Sequence, residues 1–242
     1  MGRVLEGFIN SSDTMTLACG VDKNIDGSEN YPAFASLEEC NVPVDVVLDF
    51  SHFSAIPGLL EYCVSRSLPV VIATTSLSAE ARTALNEASK VIPVFCSFNM
   101  SLGINAIANA LGSIVPIFEK DFDVEIIEKH HNKKVDSPSG TALMLADAVN
   151  ENCTEKKEYI YGRHGKEDNC RRSQLGIHSV RGGTIPGEHT IIFAGEDEII
   201  EIKHTALSRN IFAKGAVKAV EFIYGRGAGL YTMRELVTAG SR

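Results

Sequence analysis

Two imidazoles, three ammonium groups and a helix start crowd into residues 128–142: Glu128-Lys129-His130-His131-Asn132-Lys133-Lys134-Val135-Asp136-Ser137-Pro138-Ser139-Gly140-Thr141-Ala142. Each of these groups suits a small anion that takes up a proton. Imidazole changes charge near neutrality, its unperturbed pKa lying at about 6.5. An ammonium lends positive charge where negative charge develops. The amides that open a helix attract carboxylates. Ser139 is the expected N-cap, and Gly140 lets another molecule come close to the backbone. Together these features predict a site that grips a doubly negative small molecule from both ends. They do not predict a metal centre. Adjacent histidines point in different directions, and no Cys or His stands at zinc-site spacing.

The elements that must position these groups are legible around them. Val124, Ile126 and Ile127 form a β-branched run that predicts a short strand. Residues 142–149 hold no Gly or Pro and favour a helix. The stretch is therefore expected at a strand–loop–helix junction. Outside such a frame, a histidine pair beside lysines reads as a solvated loop.

The whole run, E-x-H-H-x-x-K-x-D-S-P-S-G-T-A, resembles the signature of the dihydrodipicolinate reductases, also called 4-hydroxy-tetrahydrodipicolinate reductases. The resemblance implies reduction of a cyclic imine dicarboxylate by NADH or NADPH, yielding tetrahydrodipicolinate on the diaminopimelate route to lysine. Carried over by position, it implies that His130 is the proton donor and acceptor and Lys134 the second proton donor. It makes His131, Gly140 and Thr141 substrate-binding positions. Two rival readings stand beside it: a non-catalytic remnant that still binds an anion or assembles, and a Rossmann-type dehydrogenase acting on another acid.

Upstream, strand-like and helix-like runs alternate, which predicts a doubly wound parallel sheet. Residues 1–9 read as a helix, followed by a strand-like run over 14–21 that ends in Asp22. An acidic residue there suits the ribose hydroxyls of a dinucleotide, and the adjoining Lys23 suggests tolerance of a 2′-phosphate. Relatives carry a strand and a glycine-rich turn before this helix, and Met1-Gly2-Arg3 looks like the last piece of that turn. The expectation is that the natural protein begins further upstream and that the chain as written binds nucleotide poorly. Asp49-Phe50-Ser51, Ala73-Thr74-Thr75 and Ser97-Phe98-Asn99-Met100 resemble family segments that border the cofactor. Relatives usually have Gly where Ala73 stands, a mild departure.

After residue 120 the pattern changes to three sequential strand-like runs within 175–206, which favours an antiparallel or mixed open sheet. His178, His189 and His204 read there as sheet-surface or interface histidines, and Arg163 as a weak anion-site candidate. A final amphipathic helix is expected over 211–224. The predicted fold is α/β: a Rossmann-like sheet lacking its first strand, plus a second α+β domain with an open mixed sheet. Residues 1–101 and 209–242 are expected to bind dinucleotide. Residues 102–208 are expected to bind substrate and, by resemblance, to form a homotetramer.

Composition narrows the partners. The 242 residues are 44% hydrophobic and 22% charged, ordinary for a globular chain. A formal net charge of -8 argues against nucleic acid, which calls for a basic face. No apolar run approaches membrane-spanning length. The six cysteines show no C-x-x-C pair and read as small hydrophobes in a reducing, cytoplasmic setting.

Overall fold

A computed structural model describes residues 1–25, 27–166 and 171–240. Cys170 lies outside the described residues. Helix α1 (Gly2–Asn10) precedes two short strands, β1 (Gly20–Val21) and β2 (Ala33–Phe34), which pair in parallel. Strand β3 (Val47–Asp49), helix α2 (Ile56–Ser65), strand β4 (Val70–Ile72), helix α3 (Ala79–Ala88) and strand β5 (Pro93–Cys96) then alternate. Helix α4 (Leu102–Phe118), strand β6 (Asp123–His130) and helix α5 (Gly140–Glu151) follow. Four strands come next: β7 (Glu158–Ile160), β8 (Gln174–Arg181), β9 (Glu188–Ala194) and β10 (Ile199–Thr205). Helix α6 (Asn210–Ile223), strand β11 (Gly229–Tyr231) and helix α7 (Met233–Ala239) complete the described elements. They gather into two compact units, Met1–Ser101 with Asn210–Arg242, and Leu102–Arg209.

In the first unit the sheet order is β11-β5-β4-β3, all parallel. Parallel strands are covered on both faces, and these read accordingly: Val70, Val71, Ile72, Val94 and Phe95 are all fully buried. Helices α2 and α3 supply Ile56, Leu60, Ala81 and Leu85 to one core cluster with Val70, Ile72 and Val94. Helix α6 packs on β4 and β5, where Phe222 meets the Phe95 ring edge-on at 6.1 Å. Its small residues let it come close: a Cβ built on Gly215 would lie 1.7 Å from the Met100 carbonyl oxygen. Local chemistry starts the helices as expected. Pro57 sits in the first turn of α2, and the Ser78 hydroxyl accepts the Ala81 amide at the start of α3.

One expectation shrinks. The strand-like run over 14–21 is a ladder only at Gly20–Val21, because among the described residues only those find a strand partner, in β2. The β1–β2 ladder is not hydrogen-bonded into the four-stranded sheet, and among the described residues β3 pairs with β4 alone.

The second unit is a mixed sheet of order β10-β9-β6-β8-β7. Its central strand β6 runs parallel to β8 and antiparallel to β9. Alternation along the strands decides what faces what. Val124, Ile126, Leu175, Ile177, Ile191 and Phe193 pack against Ile104, Leu111 and Val115 of α4 and Leu145, Ala146 and Val149 of α5. The sequence pattern underestimated β6. It runs through Lys129 to His130, because Glu128 and His130 continue the inward alternation that Val124 and Ile126 begin. The first part of the histidine motif is thus strand rather than loop.

Candidate active site at the end of strand β6

Strand β6 delivers two polar side chains onto the buried face of its sheet. Glu128 is fully buried and His130 is 9% exposed. The His130 Nδ1 lies 2.6 Å from Glu128 Oε2. Arg181, the register partner of His130 on β8, grips the same carboxylate with both guanidinium nitrogens: Nη1 donates to Oε2 at 2.7 Å and Nη2 to Oε1 at 2.6 Å. The Ser139 amide also donates to Oε1, at 3.0 Å. Burial pushes the Glu128 pKa up, but the hydrogen bonds from Arg181, His130 and Ser179 outweigh it and hold the carboxyl down to about 2.

After His130 the chain turns through residues 131–139 and enters α5. Ser139 is the N-cap, its Oγ accepting the Ala142 amide at 3.1 Å. The same Oγ is 2.9 Å from His189 Nε2 of β9. His189 is 5% exposed, and its ring stands edge-on to that of His130 at 5.2 Å. Burial, then the neighbouring His130, lowers its pKa to about 4, so it is neutral at physiological pH. The His189 Nδ1 is buried with no hydrogen-bond partner among the described residues. Arg181 ties the turn down, donating from Nη2 to the Asp136 carbonyl oxygen at 2.8 Å.

The five substrate-side residues singled out in the sequence fall in this strand end, turn and helix start. His130 ends β6, His131 follows it half-buried, and Gly140 and Thr141 open α5. A Cβ at Gly140 would meet nothing within 4 Å, so its backbone faces open space. The Lys134 ammonium lies 2.8 Å from Asp136 Oδ1. Burial raises the Asp136 pKa, while hydrogen bonds from Lys134 and from the Asp136 and Gly140 amides lower it, with a net downward shift. A resident carboxylate thus already sits between the ammonium and the helix start. Arg163 does not stay available as an anion site: its Nη2 donates to Glu125 at 2.7 Å and its Nη1 to Gln174 at 3.0 Å.

In the first unit, the cofactor-side residues other than Asp22 and Lys23 lie at the carboxyl ends of parallel strands, where open α/β sheets bind ligands. Ala73, Thr74 and Thr75 follow β4, and Ser97, Phe98, Asn99 and Met100 follow β5. Asp49, at the end of β3, braces the first loop: its Oδ2 accepts the Thr74 hydroxyl at 2.7 Å and its Oδ1 the Ser51 amide at 3.0 Å. The second loop holds its own shape, Ser97 Oγ donating to the Asn99 carbonyl at 2.9 Å and Asn99 Oδ1 accepting the Ser101 amide at 2.9 Å. Asp22 and Lys23 lie exposed just beyond β1, with Asp22 Oδ1 accepting the Asn24 amide at 2.8 Å. They stand on the separate β1–β2 ladder, not on the sheet that carries the two loops.

Sequence reasoning missed Arg181 and His189. No role was read for Arg181, and His189 read as a sheet-surface or interface histidine. The signal available for both was polarity on the inward-facing alternation of an otherwise apolar strand.

The sequence profile described as "Dihydrodipicolinate reductase, N-terminus" matches residues 1–100, and that described as "Dihydrodipicolinate reductase, C-terminus" matches residues 103–237. A 4-hydroxy-tetrahydrodipicolinate reductase of Caldanaerobacter subterraneus subsp. tengcongensis is 48% identical over 240 residues, covering 99% of this chain and 95% of its own. One from Clostridium tetani is 48% identical over 233 residues, covering 96% and 91%. A dipicolinate-bound dihydrodipicolinate reductase from Paenisporosarcina sp. TG-14 has the same fold, with a TM-score of 0.80 at 22% identity, covering 96% of this chain and 92% of its own.

Proposed function

The chain belongs to the dihydrodipicolinate reductase family, and from that premise we propose how its residues divide the work. The reaction is the nicotinamide-dependent reduction of 4-hydroxy-tetrahydrodipicolinate to tetrahydrodipicolinate, a step toward diaminopimelate and lysine. When bound, the cofactor supplies a hydride to a ring carbon of the substrate. The donor set of the first unit fits such a group: Asp22 offers an exposed carboxylate for ribose hydroxyls, and Ala73, Thr74, Thr75, Ser97, Phe98, Asn99 and Met100 form loops at strand ends. Lys23 beside Asp22 admits a 2′-phosphate, so both NADH and NADPH serve. Residues 1–101 with 209–242 are the dinucleotide-binding domain in this reading, and residues 102–208 the substrate-binding one.

His130 gives the proton that the reduced ring must take up, from the nitrogen not bonded to Glu128. Lys134 places positive charge and a second proton near the developing negative centre. The Gly140 and Thr141 amides hold one substrate carboxylate at the start of α5, and His131 with the lysines attracts the other. Asp136 occupies Lys134 until a substrate carboxylate competes for it. The dipicolinate carried by the Paenisporosarcina relative is a planar diacid of the class this arrangement suits.

The observation that carries the reading is the meeting of His130, Lys134 and the opening of α5 around one short turn. Its test is steady-state oxidation of NADH and NADPH by His130→Ala and Lys134→Ala. Each is expected to lose about 10²–10⁴-fold in kcat, the span of general acid catalysis, with the fold retained by circular dichroism. Wild-type turnover in both variants would sink the assignment.

Assembly as a homotetramer is the companion proposal. The face of the second sheet turned away from α4 and α5 carries Ile127, Val180, Ile192 and Ile199, of which Val180 is 44% and Ile199 67% exposed. Light scattering that reports a monomer at micromolar concentration refutes it. The cytoplasmic reading rests on the dispersed cysteines and on the soluble nicotinamide and diacid the reaction uses.

A further inference from the structure

Both oxygens of the Glu128 carboxylate are filled by donors. Oε1 accepts from the Ser139 amide and Arg181 Nη2, and Oε2 from Arg181 Nη1. The Ser179 side chain also hydrogen-bonds the carboxylate, and the remaining neighbour, His130 Nδ1 at 2.6 Å from Oε2, can only be a donor too, since a carboxylate so surrounded has no proton to give. The imidazole therefore carries hydrogen on Nδ1 in every protonation state, and Nε2 is the nitrogen that exchanges protons. Nε2 points toward Gly187, where a Cβ would come within 3.0 Å of it.

Resting on the proton role given to His130 above, we infer that Glu128 and Arg181 are positioning residues for the reduction. Glu128 locks the His130 tautomer and stabilises its charged form, and Arg181 keeps Glu128 ionised and immobile. The bidentate grip matters because a lone buried carboxylate would take up a proton and lose both functions. The groups set against His130 are Glu128 on β6, its register partner Arg181 on β8 and the His189 ring on β9, and His204 on β10 and Lys134 act on His189 in turn. His189 is neutral, burial also lowers the His204 pKa, and Lys134 and Asp136 offset each other. Glu128 is thus the charge in direct contact with His130.

The test is a 15N NMR reading of the His130 ring tautomer in the unliganded protein, set beside kcat and KM. In wild type the neutral ring is expected to hold its hydrogen on Nδ1. In Glu128→Gln the amide oxygen stays with the Arg181 guanidinium and the amide NH2 faces Nδ1, so the ring hydrogen is expected to move to Nε2. kcat then falls, by up to about 10²–10⁴-fold, the span of general acid catalysis, while KM for the cofactor stays put. Arg181→Lys, which keeps the charge, retains the Nδ1 hydrogen at reduced kcat. Should Glu128→Gln fail to fold with Arg181 left unpaired, Glu128→Leu/Arg181→Met removes both charges and is expected to lose the Nδ1 preference as well. A ring that keeps its hydrogen on Nδ1 in these variants overturns the inference. A switched tautomer over an unchanged kcat overturns His130 as the proton group instead, and with it the catalytic meaning of the pair.

Discussion

Ser139→Ala tests whether one hydroxyl holds both the helix start and the neighbouring imidazole. Ser139 is 2% exposed. Its Oγ accepts the Ala142 amide at 3.1 Å, leaving its own hydrogen for the neutral His189 Nε2 at 2.9 Å. Alanine removes the cap, at a cost of about 1 kcal/mol. It also strands the Nε2 of an imidazole whose Nδ1 already lacks a partner among the described residues, which costs a further ~1–3 kcal/mol. The expected loss is roughly 2–4 kcal/mol. Ser139→Gly separates the contributions, since glycine is a tolerable cap and costs only a few tenths there. It should therefore fall between wild type and Ser139→Ala. Because the chain has two units, a single global transition is an unsafe reading, and hydrogen exchange of the α5 amides is the better assay. Turnover carries a second signature: with a looser helix start, KM for the diacid should rise more than kcat falls. Unchanged α5 protection in Ser139→Ala refutes the reasoning, as does a Ser139→Gly variant more damaged than the alanine one.

Four further outcomes follow from the same geometry. His189 binds its proton near pH 4 when folded and near 6.5 when unfolded. The unfolded chain therefore takes up a proton first as pH falls, and stability drops by about 3 kcal/mol between those limits; urea melts of His189→Phe should be flatter over that window. Glu128 acts in a separate window: its lowered pKa lends stability above the ordinary carboxylate range, lost only as pH falls toward 2. Gly215→Ala would place a methyl 1.7 Å from the Met100 carbonyl oxygen, a backbone atom that cannot step aside, so calorimetry should show a loss of at least ~1–3 kcal/mol. Asp136→Asn removes the carboxylate that occupies Lys134, and titration with pyridine-2,6-dicarboxylate should show binding up to about fivefold tighter, the scale of an exposed ion pair. Weaker binding would mean that Asp136 organises the turn rather than competing with the ligand.

Much of this arrangement was readable from the chain alone, because it is local. The alternation of apolar strand and amphipathic helix over the first hundred residues gave β3, α2, β4, α3 and β5 in order. The cap at Ser139 and the clustering of His130, His131, Lys134, Gly140 and Thr141 also need no distant partner. Residues within fifteen positions of one another at a strand–turn–helix junction cannot move far apart.

What stayed hidden depends on pairing across sequence distance. Residues 14–21 look like a strand, yet among the described residues only two of them have a neighbouring strand to pair with. A strand is defined by its partner, and apolar pattern cannot supply one. Glu128 looked like the point where β6 gives way to loop, since charge on an inward-facing position mimics a solvent face. Its real surroundings are Arg181, 53 residues away, and, through Ser139, His189, 50 residues from that serine. Only the parallel register of β8 and the antiparallel register of β9 on either side of β6 bring them in. The chain alone therefore specifies which groups can handle a proton, and the sheet decides which nitrogen of His130 is left to do it.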